Sequence, residues 1–186
     1  YVLGNLPNGY DVYVRVSAIS AIGVGEGAQD VATPATVAGV PMAVSAAVGS
    51  GLVILSWIAP SNNGGSEITG YKVEISSDSG ATWTSAIDDT ASARASATVT
   101  GLTNGAEYRF RVRAISEVGT GSASVPIAAT PLGQAAAPVA LVAAPADTRM
   151  DLSWTAPSDT GGSAIVGYAI ETSSDGATWT LSLIHI

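Results

Sequence analysis

Cysteine is missing from this chain of 186 residues; lysine occurs once, at Lys72, and histidine once, at His185. The lack of thiols excludes a disulfide framework, a thiolate metal site and a thiol nucleophile. Lys+Arg number 7 against 15 Asp+Glu, a formal net charge of −8, and only 12% of residues are charged. So acidic and lysine-poor a chain is a poor counterion for phosphate, which sets nucleic acid aside as a partner. Pro or Gly interrupts every apolar run before the roughly 18 residues a membrane helix needs, so no membrane span is expected. Apolar residues are plentiful at 47%. That is enough to offset chain entropy, so a folded chain is expected rather than a disordered one.

The chain repeats itself. Leu55-Ser56-Trp57-Ile58-Ala59-Pro60-Ser61 returns as Leu152-Ser153-Trp154-Thr155-Ala156-Pro157-Ser158, a shift of 97. The same shift carries Gly64-Gly65-Ser66 to Gly161-Gly162-Ser163 and Gly70-Tyr71 to Gly167-Tyr168. Leu6-Pro7-Asn8-Gly9 and Arg15-Val16-Ser17-Ala18-Ile19-Ser20 recur, shifted by 96, as Leu102-Thr103-Asn104-Gly105 and Arg111-Val112-Arg113-Ala114-Ile115-Ser116. Periods of solenoids and propellers are far shorter, so each unit is expected to be a whole domain. The boundaries expected are the rear part of one copy over 1–34, a complete copy over 35–131 and the front part of a third over 132–180. Residues 181–186 depart from the repeat. Leu181-Ser182-Leu183-Ile184-His185-Ile186 back-translates to a codon series that resembles a sequencing-library adapter. These six residues are therefore expected to be a non-native tail, with a divergent apolar strand as the alternative.

Within the complete copy, alternation of period two dominates. Val53, Leu55 and Trp57 share one parity; Tyr71, Val73 and Ile75 alternate with Lys72 and Glu74; Phe110, Val112 and Ala114 alternate with Arg109, Arg111 and Arg113. Clusters such as Pro60-Ser61-Asn62-Asn63-Gly64-Gly65 and Gly119-Thr120-Gly121 supply turn chemistry between these runs. No window offers a capped helix of ordinary length. The fold class predicted is all-β, with immunoglobulin-like antiparallel two-sheet sandwiches in tandem. The expected core is Trp57, Tyr71, Val73, Tyr108, Phe110 and Val112.

At these residues the chain resembles the fibronectin type III family. The marks are Leu55-Ser56-Trp57 with Pro60, Tyr71-Lys72-Val73, and Leu102-Thr103-Asn104-Gly105-Ala106-Glu107-Tyr108 followed by Arg111-Val112-Arg113-Ala114. The resemblance implies that Tyr108 bonds back to the chain at a corner of the sandwich. Val12 occupies that place in the first copy, whose corner is expected to be held less firmly. The family's integrin-binding tripeptide, Arg-Gly-Asp, is absent, and the corresponding loop reads Glu117-Val118-Gly119-Thr120-Gly121-Ser122.

Little in the sequence carries catalytic chemistry. A Ser-His-Asp arrangement needs an imidazole base, and the sole histidine lies in the divergent tail. Asp88-Asp89 is the only adjacent acidic pair, and neighbours along a strand point to opposite faces, so it reads as solvated loop rather than a glycosidase pair. Asp78-Ser79-Gly80 and Asp175-Gly176 fall short of a calcium loop and read as hairpin turns. Gly23-Val24-Gly25-Glu26-Gly27 has no following helix to cradle phosphate. No catalytic, cofactor-binding or metal residue is assigned, and no cofactor is expected.

Two features suit binding. Arg109, Arg111 and Arg113 line the outward face of one strand and could meet acidic glycans or a partner's carboxylates; the plainer reading pairs them with neighbours such as Glu74 on the adjacent strand. Trp83 and Trp179 recur in Gly-Ala-Thr-Trp-Thr, where an exposed ring could stack on sugar and a covered one would join a satellite hydrophobic cluster. What the resemblance implies is a non-catalytic spacer or adhesion-type repeat of a larger secreted or cell-surface protein. Its partners would be neighbouring domains of the same chain, with polysaccharide or a surface protein as further candidates. The alternative is an accessory carbohydrate- or protein-binding module of an extracellular polysaccharide-degrading enzyme. The 32 alanines and 21 glycines against one lysine suggest a GC-rich, bacterial genome.

Overall fold

The computed structural model describes residues 1–185, without the side chains of 183–185. Ile186, the last residue of the expected tail, lies outside the described residues. Strands make up the regular structure, and no helix occurs among the described residues. The first segment contributes β1 (Val12–Ser20) and β2 (Gly23–Ala32), an antiparallel pair. The complete copy follows with β3 (Met42–Gly49), β4 (Leu52–Ile58), β5 (Ile68–Ser76), β6 (Thr84–Ile87), β7 (Ser96–Thr100), β8 (Tyr108–Ser116), β9 (Gly119–Thr120) and β10 (Ile127–Ala129). The third segment holds β11 (Val139–Ala146), β12 (Arg149–Thr155), β13 (Tyr168–Thr172) and β14 (Thr180–His185).

In the complete copy, one sheet runs β3-β4-β7 and the other β10-β8-β5-β6, with β9 folded back on β8. The alternation decides which face turns inward. Val53 and Leu55 are 0% exposed while Ile54 between them is 44% exposed. Tyr71, Val73, Phe110, Val112 and Ala114 meet them from the second sheet, with Trp57 and Val99 closing the layer. Burying each of the larger side chains contributes about 1.5–3 kcal/mol. Trp57 stands edge-on to Tyr71, ring centroids 4.9 Å apart. Of the expected core residues only Tyr108 is partly buried, packed at the rim. Its hydroxyl accepts a hydrogen bond from the Thr103 N–H at 3.2 Å, which ties the corner as the resemblance implied.

The flanking segments use the same local geometry with fewer strands: the first holds one two-stranded sheet, β1-β2, and the third holds two, β11-β12 and β13-β14. Trp154 and Tyr168 repeat the edge-on pair at 5.1 Å. Val16, the counterpart of Val112, is 72% exposed. In the third segment Leu141, Met150, Leu152, Trp154, Tyr168 and Trp179 line an apolar trough of about 640 Å³. The complete copy fills the matching space with β7 and β8, whose Val99, Phe110 and Val112 are buried. The backbone of β14 pairs with β13, as β6 pairs with β5, so the chain from Thr180 to His185 takes a strand's place.

Candidate functional site

The arginine face and the junctions between copies are the two features that could act on another molecule or on the next domain. Strand β8 places Arg109, Arg111 and Arg113 on the outward side because Phe110 and Val112 turn inward. Register with β5 sets Glu74 opposite Arg111 and Lys72 opposite Arg113. Two cations facing each other across a ladder repel, and the side chains resolve this by choosing other partners. Glu74 Oε2 accepts from Arg111 Nε at 2.6 Å and from Arg113 Nε at 2.9 Å, while Lys72 turns to Asp88 at 3.2 Å. Arg113 also donates to the Gly121 carbonyl at 3.2 Å. Burial raises the Glu74 carboxyl, but the hydrogen bonds and charges of the two guanidiniums outweigh it and hold the group below its ordinary value.

Trp83 is part of the same cluster. The Arg111 guanidinium lies 4.2 Å from the centre of its ring, and its indole N–H donates to the Gly80 carbonyl at 3.1 Å. A cation over an indole face contributes about 0.5–1 kcal/mol at such a half-exposed place. Trp179, at the equivalent turn of the third segment, is 58% exposed. The two tryptophans differ because only the complete copy brings an arginine strand across the ring. Arg109 stands apart from the ion pairs, its Nε buried without a hydrogen-bond partner. Thus Arg111, Arg113 and Trp83 come together around Glu74, and Arg109 does not join them.

The acidic turns are structural in geometry. Asp78 accepts from the Ser76 hydroxyl at 2.6 Å and from the Thr82 N–H at 2.9 Å, and these bonds hold its carboxyl well below the usual carboxylate range. Asp175 repeats the arrangement on Thr178, Ala177 and Ser173. Asp88 and Asp89 diverge: Asp88 faces Lys72, and Asp89 accepts from the Ala91 N–H. Among the described residues no group of three or more His, Cys, Asp or Glu gathers around a point where a metal could sit. No described helix is long and apolar enough to cross a membrane.

The junctions are built from backbone. Gly9 N–H donates to the Pro34 carbonyl at 2.8 Å, Thr36 N–H to the Gly64 carbonyl at 2.9 Å, and Gly39 N–H to the Asn62 carbonyl at 2.8 Å. The second junction repeats all three: Gly105 to Pro131 at 2.8 Å, Gly133 to Gly161 at 2.8 Å, and Ala136 to Asp159 at 2.9 Å. Each connecting segment is therefore a strap bonded to the corner behind it and to the Gly-Gly loop ahead. Ala38 and Pro131 anchor the straps in the complete copy's interior. The turn glycines are visible in the sequence but these bonds are not, because a backbone amide has no side-chain signature. The available signal was that Asn-Gly corners and Gly-Gly loops recur in step with Thr33-Pro34 and Thr130-Pro131, which are 97 residues apart.

Two antiparallel sheets packed on a Trp–Tyr pair, with a tied tyrosine corner, define an immunoglobulin-like sandwich module. Residues 39–130 match the family model described as "Fibronectin type III domain", and the chain carries a domain of that family there. The chain is 45% identical over 73 residues, 39% of its length, to "Titin" of Drosophila melanogaster. It is 28% identical over 183 residues, 92% of its length, to "Myomesin-2" of Homo sapiens. The chain spans 12% of that myomesin and a share of that titin that rounds to 0%. Among solved structures, "Crystal structure of domains A168-A170 from titin" aligns with a TM-score of 0.52 at 26% identity, covering 66% of this chain and 41% of the other. The relatives named are animal proteins, and they lend the expected bacterial source no support.

Proposed function

We propose that the chain is a stretch of a non-catalytic modular spacer, a series of sandwiches that holds other domains of a larger secreted or cell-surface protein at a distance. The observation that carries this reading is the strap repeated at both junctions, which bonds each connecting segment to the copies on either side. A free linker samples many angles; a short one with Pro and fixed backbone bonds does not. Each strap bond contributes about 0.5–1.5 kcal/mol, so a junction resists bending without being locked. The likeness to long proteins named titin and myomesin supports a role in modular architecture. The engagement of Arg111 and Arg113 with Glu74, and of Arg111 with Trp83, supports a structural part for that face, with Arg109 alone standing outside the ion pairs.

Small-angle X-ray scattering of the chain tests the proposal. A compact globule of this length has a radius of gyration of about 16 Å. Modules in series give a clearly larger value and a cross-section of one module's width. A radius near that of the globule contradicts the spacer reading. The second reading, an accessory carbohydrate- or protein-binding module, draws on the exposed ring of Trp179. Retention of the chain on insoluble glycan, lost in Trp179→Ala, would establish it.

A further inference from the structure

We infer that the Asn-Gly corner of one module and the Gly-Gly loop of the next form a glycine-gated recognition joint, which accepts a like module at one fixed angle. This rests on the spacer reading and goes beyond it, because it names the surface by which successive modules recognise each other. The two junctions agree in conformation. Gly9 and Gly105 both have φ of 80°, and Gly65 and Gly162 both have φ of 85°. A Cβ added to Gly9 would stand 2.9 Å from Gly65 Cα, and one added to Gly105 would stand 2.9 Å from Gly162 Cα. A Cβ on Gly65 or Gly162 would in turn run into the backbone of Gly9 or Gly105. Real Cβ atoms are not found so close to backbone, so the two chains meet main chain to main chain.

The loop that presents the glycines is itself shaped in the same way at both places. Asn62 Oδ1 accepts from the Gly64 N–H at 2.8 Å, and Asp159 Oδ1 accepts from the Gly161 N–H at 2.8 Å. The Gly64 and Gly161 carbonyls then receive the strap, from Thr36 and Gly133. Strap side chains differ between the junctions, whereas the backbone bonds and the glycine contact do not. The joint is thus specified by glycine on both sides, and its partner is the Asn-Gly corner of another module of the same kind. Because one geometry recurs, the angle between modules recurs too, and an array of such modules winds regularly.

The chain has no cysteine, so spin labels can be placed at will. Labels at Gln29→Cys and Thr98→Cys, both exposed, report the distance across the first junction by pulsed electron resonance in the full chain. The unaltered joint is expected to give one narrow distance. Gly65→Ala is expected to shift or broaden it by more than its own width. Gly9→Ala should do the same from the opposite side, leaving the complete module's own residues untouched. Gly101→Ala is the control: its φ is 74°, so it carries the same backbone strain, but an added Cβ meets nothing within 4 Å. A narrow, unmoved distance in both Gly65→Ala and Gly9→Ala overturns the joint and leaves the spacer reading standing. An equal broadening in Gly101→Ala also overturns it, since strain alone would then be the cause. A broad distance in the parent chain defeats the joint and the spacer reading together.

Discussion

Trp57 and Trp154 occupy the same motif 97 residues apart, each edge-on to a tyrosine, yet their substitution by alanine should have very different consequences. Trp57 is 6% exposed between two sheets. A tryptophan buries roughly 150–250 Å², which at about 25 cal/mol per Å² is worth about 4–6 kcal/mol. Against this, the Trp57 indole N–H is buried with no acceptor, and such an orphan costs about 1–3 kcal/mol. The net loss for Trp57→Ala is then about 3 kcal/mol, at the lower end of what tryptophan truncations in cores cost. For a domain of this size that lowers the midpoint by about 12–24 °C. Trp57→Phe keeps most of the ring and removes the orphan N–H, so its cost should stay below about 1.5 kcal/mol. Trp154→Ala should leave the complete module's transition within about 0.5 kcal/mol, since distant sites in separate units do not couple. The assay is urea and thermal unfolding of the full chain followed by circular dichroism, with the three variants compared in each transition. If Trp154→Ala lowered that transition as far as Trp57→Ala, the segments would be folding as one body and the reasoning would fail. Equal costs for Trp57→Phe and Trp57→Ala would refute the part assigned to the indole N–H.

Tyr108→Phe removes the acceptor for the Thr103 N–H and should cost about 0.5–1.5 kcal/mol in the same unfolding assay; a loss below about 0.3 kcal/mol would mean that water replaces the bond without penalty. Glu74→Gln leaves Arg111 and Arg113 without their carboxylate and should cost about 1–2 kcal/mol at neutral pH, the lower part of the charged-bond range because the pair is partly solvated. Its pH dependence follows from the direction of the shift: the folded-state pKa of Glu74 lies below the unfolded one, near 4.5. The stabilisation is therefore complete above that value and lost as pH falls through the folded-state pKa, whereas Glu74→Gln should show a flatter acid limb. Parallel acid limbs in the two proteins would contradict the assignment. Arg111→Ala should red-shift Trp83 emission by uncovering its ring, and an unchanged spectrum would argue against the stacked geometry.

The sandwich was legible because its signal lies in side chains. The alternation of Val53, Leu55 and Trp57 against Ile54, and of Phe110 and Val112 against three arginines, fixes which way each strand faces. The repeat adds the rest, since it shows the same pattern in two partial copies. The candidate site was legible only in part. Placing Arg111 and Arg113 near Glu74 follows from neighbouring strands, but the strand register that puts Lys72 opposite Arg113, and so sends it to Asp88, does not. The cover of Trp83 by Arg111 needed both the turn after β5 and the face of β8. The junctions were least visible, because their bonds run between main-chain atoms, and Thr36 and Gly133 make the same bond although glycine has no side chain.

Amide hydrogen exchange, read residue by residue in the full chain by nuclear magnetic resonance, bears most directly on whether the modules are strapped together in series. The N–H groups of Thr36, Gly39, Gly133 and Ala136 should exchange far more slowly than an open chain, although they lie in connecting segments. If they exchanged at open-chain rates while Val73 and Val112 stayed protected, the modules would be beads on a loose string, and the strapped array would be wrong.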